Sequence, residues 1–152
     1  MEKKVTSTIF TISLLFMLGL FLPQGMQGQA LVQSQILQKC IDYEGLQQYY
    51  PLDNQKNPLP VYVLESKPPV FPSNPPLVKF NKEVKYLSAT ELSKLDPESY
   101  FLFKQYDLKD NATTQVELEY YYRSNGNYKM LHGNFIFKND GQTWKMSESK
   151  IN

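Results

Sequence analysis

One histidine and one cysteine, with a scatter of carboxylates, are the residues of this 152-residue chain that could do chemistry. His132 is a candidate general acid or base, a role that needs a cavity and a carboxylate to orient the ring. Glu117 and Glu119 are the candidate orienters, on the strand that should neighbour it. Cys40 and His132 would make a nucleophile–base pair if the fold joined them. Cys40, however, shares a helical face with Ile36, Leu37 and Ile41, where a cysteine acts as an apolar filler. No His-x-His or Cys-x-x-Cys spacing offers a metal its ligands. No catalytic residue, metal or cofactor is therefore assigned.

The tyrosines offer a different chemistry. In Tyr120-Tyr121-Tyr122, strand alternation sends Tyr120 and Tyr122 to one face and Tyr121 to the other. Tyr120 and Tyr122 read first as core. Their functional reading is the lining of a cavity for a small apolar ligand or a partner surface. Tyr43, Tyr49 and Tyr50 would complete it from the end of a helix. The ligand-binding set is thus Tyr43, Tyr120, Tyr122 and His132. Glu117 and Glu119 otherwise read as a solvated face. Asn111-Ala112-Thr113 matches a glycosylation acceptor, which matters only in a eukaryotic secretory route.

The elements that must position these residues follow a leader. Lys3 and Lys4 precede an apolar run from Ile9 to Leu22, Pro23 ends it, and Gly28-Gln29-Ala30 places small residues before a cleavage point. This reads as a signal peptide over residues 1–30, too short in its apolar part for a span of about 20 residues. One domain, residues 31–152, is expected to be exported, periplasmic or secreted, with no membrane span after cleavage.

Removing Lys3, Lys4 and Glu2 from 16 basic and 15 acidic residues leaves 14 of each. A neutral domain lacks the basic excess of a nucleic-acid binder. Eleven tyrosines in the chain favour strands. A lone Cys40 forms no internal disulfide, so the core must hold the fold.

Gln33 to Tyr50 reads as helix, with Ser34 as cap and a break near Gly45 as an equal alternative. Val61 to Leu64 is a short strand. Five prolines in 67–76 force an extended crossing. Val84 to Tyr86 is a strand. Ser88 and Glu91 form a capping box for a brief helix that turns Leu92 and Leu95 inward. Four strands then follow, from Tyr100, Gln115, Tyr128 and Thr143, with Asn125-Gly126 as a hairpin turn. Gly133 suggests a bulge or bend. Trp144 and Met146 face inward on the last strand.

This order gives an α+β fold: a helix packed on one face of a curved antiparallel sheet that ends in a four-stranded meander. From Tyr100 to Ile151, the aromatic strand, the hairpin and the Gly141-Gln142-Thr143-Trp144-Lys145-Met146 strand resemble the end of small exported bacterial domains of the cystatin-like or NTF2-like fold. That group holds binding modules and a few enzymes. Gln115-Val116-Glu117 lacks the Gln-x-Val-x-Gly of cystatin-type inhibitors. The reading is a non-enzymatic module for a protein or small ligand of the cell envelope. The alternatives are an enzyme using His132 or a carboxylate in a cone-shaped pocket, and a structural envelope component.

Overall fold

The computed structural model describes residues 24–152 apart from Asn111. Most of the expected leader, and the asparagine of the glycosylation pattern, lie outside the described residues. The chain divides into two units, Met1–Val32 and Gln33–Asn152; the fold described below is that of the second.

Helix α1 spans Gln24–Ile41 and is followed by a 3-10 turn at Glu44–Tyr49. The helical spacing is as read: Ile36, Leu37, Cys40 and Ile41 are all fully buried. The limits differ. The helix stops at Ile41 rather than running to Tyr50, which is the two-segment form. Ser34 does not cap it. It sits inside the helix, and its hydroxyl donates to the Pro76 carbonyl.

Six strands form one sheet in the order β4-β1-β5-β6-β7-β8. They are β1 Tyr62–Leu64, β4 Lys85–Leu87, β5 Ser99–Asp110, β6 Thr113–Ser124, β7 Asn127–Asn139 and β8 Trp144–Ile151. A separate small hairpin joins β2 Val78–Lys79 to β3 Lys82–Glu83. The expected four-stranded antiparallel meander is β5 to β8. The sheet as a whole is not antiparallel. Strand β1 lies between β4 and β5 and runs parallel to both. A parallel neighbour needs a long crossover. The proline crossing and the β2–β3 hairpin supply it between β1 and β4, and helix α2, Ala89–Leu95, follows.

Ser88 and Glu91 make the expected capping box on α2. Leu95 does not face inward, being 50% exposed. The helix ends at once on Asp96 in the left-handed region, φ 47°. That leaves too short an element to bury both leucines.

The core lies on the inner face of the meander. Phe101, Phe103, Leu118, Tyr120, Phe135 and Phe137 are buried there. The chain from α1 to Tyr50 covers them. Tyr50 packs its ring 5.3 Å from that of Tyr120, and Tyr43 sets its edge on Phe135 at 5.3 Å. Lys79 fixes this cover. Its ammonium is buried, pairs with Asp42 at 2.8 Å, donates to the Ile41 carbonyl at 3.1 Å, and lies 4.5 Å above the Tyr50 ring. A buried cation is tolerated when it is paired and hydrogen-bonded. Here it also closes the C-terminal end of α1, where a positive charge is favoured.

Gly133 is not at a bulge. A Cβ there would stand 2.8 Å from a Phe135 ring carbon and 3.1 Å from Leu118 and Ile151. The residue is glycine because those side chains close over it. The bulge lies further along the same pair of strands, between Ile136 and Phe137.

Candidate functional site

The two-residue turn at Asn125-Gly126 fixes which side chains share a face. Both residues have positive φ, 54° and 78°, as such hairpins require. Arg123 then falls opposite Tyr128, Tyr121 opposite Met130, and Glu119 opposite His132. Tyr120 and Leu118 point the other way, opposite Leu131 and Gly133.

The structure therefore separates the expected ligand set. Tyr43, Tyr120 and Tyr122 lie on the inner side. Tyr120 is fully buried and its hydroxyl donates to the Tyr49 carbonyl at 3.2 Å. Tyr122 stacks beside it at 5.9 Å and meets Tyr49 at 5.1 Å. Tyr43 accepts a hydrogen bond from the Ser149 hydroxyl at 3.0 Å. Burial pushes the Tyr50 and Tyr120 phenols well above the ordinary range. His132 stands on the outer face, across from Glu119, with its backbone paired to Asn152. Cys40 is in the core, and burial raises its thiol pKa well above normal. A thiol held neutral is a poor nucleophile. Among the described residues, no group of three potential ligands could hold a metal.

Two other surfaces carry recognisable chemistry. The first is a cleft of about 320 Å³ between the proline crossing and the sheet. Val63, Phe71, Phe103 and Tyr86 form its walls, and Glu65 and Lys67 stand among its lining. Asn74 donates to Glu65 at 2.8 Å, and the Tyr86 hydroxyl donates to the Pro75 carbonyl at 2.8 Å. Phe71 packs edge-on against Phe103 at 5.5 Å. These contacts hold the strap in place. The lining mixes apolar side chains with Glu65, Ser66, Lys67, Ser73 and Asn74, so it offers both apolar contact and polar groups to a small ligand.

The second is an aromatic cluster on the outer face. Tyr100 and Tyr121 stack at 4.8 Å with an interplanar angle of 11°, and Tyr128 meets Tyr100 edge-on at 5.7 Å. Arg123 lies 4.9 Å over the Tyr128 ring and pairs with Asp96. Tyr121 donates to Glu119 at 2.8 Å. Partial burial, with Glu119 adding to it, pushes the Tyr121 phenol up to about 12. Tyr128 and Met130 remain 39% and 48% exposed. Tyr100, Arg123, Tyr128 and Met130 were not singled out from composition. The signal that finds them is the hairpin arithmetic from Asn125-Gly126 combined with alternation.

No protein-family model, curated protein or solved structure matches the chain. The fold and these two surfaces must therefore carry the functional reading.

Proposed function

We propose that the protein is an exported, non-enzymatic binding module that presents the outer face of its sheet to a protein partner. One observation carries the reading: the exposed Tyr128 packs in one cluster with Tyr100, Tyr121 and Arg123, and the exposed Met130 lies opposite Tyr121 on the same face. Tyr, Met and Arg are the residue types enriched in interface centres. The rings are already packed on one another, so little side-chain freedom is left to lose on binding. Export is supported by the leader pattern of residues 1–30. The cystatin-like or NTF2-like grouping is supported by a helix and turn lying across the inner face of a curved meander. The parallel β1 is an addition to that plan.

A small ligand of the envelope is the second reading, favoured by the cleft of mixed apolar and polar lining at the proline crossing. An acid–base role for His132 has only Glu119 opposite it in support. Neither residue lines that cleft.

The test compares capture from an envelope extract by the wild type, by Tyr121→Ser/Met130→Ser and by Phe71→Ala, each first checked for folding by circular dichroism. Loss of the same captured protein in the outer-face variant alone is the expected result. Equal capture by the wild type and that variant would sink the outer-face reading.

A further inference from the structure

Among the described residues, the sheet ends on β8, which has a neighbour on one side only. His132 and Asn152 exchange both backbone hydrogen bonds at 3.0 Å. In an antiparallel ladder, successive residues turn their backbone groups to opposite sides of the strand. Lys150 and Glu148 therefore turn theirs toward β7, where Asn134 and Ile136 lie opposite. Ser149 and Ile151 turn theirs to the open flank. Such a row is a template for another strand. The bulge leaves Ser147 unmatched and disrupts the flank beyond it. The usable edge is the run from Glu148 to Asn152.

The charges on this run select what fits it. A second copy related by a two-fold axis presents the same run in reverse. The backbone phase requires Ser149 or Ile151 to face Ser149 or Ile151 of the copy. An axis through Lys150 sets lysine against lysine. An axis through Ile151 sets Lys150 against the neutral Asn152 and gives it no acidic partner. An axis through Ser149 places Glu148 opposite Lys150 in both directions. Opposite charges across a ladder attract, and like charges repel. Only the last register satisfies both the hydrogen-bond phase and the charges. It also brings each Ser149, with Tyr43 bound to its hydroxyl, beside its counterpart on the inner face. We infer that the protein self-associates through β8 as a two-fold dimer, Glu148 of each copy against Lys150 of the other, so that two sheets become one. The edge lysine that deters an unmatched strand is the group that accepts this one.

The test is sedimentation velocity over a concentration series, with the protein expressed from its whole coding length and purified as the cell processes it. The wild type should approach twice the monomer mass as concentration rises. E148K and K150E each turn two attractions into two repulsions and should weaken association about tenfold. The double variant E148K/K150E restores every pair and should recover the wild-type affinity. The amide of Ser149 should exchange slowly in the dimer and fast in either single variant. A wild type that stays monomeric at every concentration overturns the proposal. So do single variants with undiminished association, or a double variant that fails to recover it.

Discussion

Gln38 holds the backbone of Val78 by both polar groups of that residue. Its amide nitrogen donates to the Val78 carbonyl at 2.7 Å, and its amide oxygen accepts the Val78 N–H at 3.0 Å. The side chain stands in for a missing sheet neighbour. With Ser34 on Pro76 and Lys79 on Asp42, it ties α1 to the end of the proline crossing.

Gln38→Leu should therefore cost about 1 kcal/mol, since two hydrogen bonds are lost but water can reach the exposed Val78 backbone. Denaturant unfolding gives the stability, and amide exchange at Val78 should accelerate. Unchanged exchange at Val78 would show that the clamp is not made in solution.

Trp144 opens β8 and is 7% exposed. Trp144→Ala should lower stability by about 3–5 kcal/mol, the usual cost of removing a large buried aromatic side chain. An unmoved denaturation midpoint would put the indole outside the core.

At Gly133 the expected loss comes from overfilling. Gly133→Ala adds a methyl 2.8 Å from the Phe135 ring and 3.1 Å from Leu118 and Ile151. Overpacking of this kind costs about 1–3 kcal/mol. Adding Leu118→Ala to the variant should return part of that loss, measured as a double-mutant cycle.

Cys40 should resist thiol reagents until the protein unfolds, since burial holds the thiol neutral and out of reach. Labelling across a denaturant series should follow the loss of circular dichroism. Fast labelling of native protein would mean that α1 opens locally.

Alkali should unfold the protein. Burial raises the Tyr50, Tyr86 and Tyr120 phenols above their ordinary range. A phenol so raised stabilises the fold fully below its unfolded pKa of about 10. That contribution fades as the pH climbs toward the folded value. Tyrosinate absorbance and circular dichroism should therefore change together in the upper range. Complete ionisation of a natively folded chain would contradict the burial of these rings.

The meander was legible because period two and an Asn-Gly turn are local signals. Once Asn125-Gly126 is placed, counting outward gives Glu119 opposite His132 and shows that His132 and Tyr120 are on opposite faces. The expected ligand set joined them because the tyrosines were counted by type and the register was not carried across the turn. The capping box on α2 was legible for the same local reason. The insertion of β1 was not. Its three residues carry no periodicity, and its neighbours are set by contacts with distant strands. The cleft was hidden too, since it exists only where the proline crossing lies over Phe103. A mid-strand glycine such as Gly133 suggests a bulge or bend from sequence alone, whereas its reason here is a side-chain contact made from three strands.

Strand β1 also sets an order of events. Strands β5 to β8 are joined by short turns, and their pairing needs only small loops to close. Strand β1 must instead find Tyr100 and Phe101 from Tyr62 and Val63, across the whole proline crossing. Contacts so distant in sequence form slowly. The meander is therefore the natural nucleus, with β1 and β4 arriving on a template that already exists. The same asymmetry runs backwards in the folded protein. The segment added last, which walls the cleft, is the one whose opening leaves the meander intact, so the cleft would lose its wall, and with it any bound ligand, by partial unfolding at the sheet's short edge.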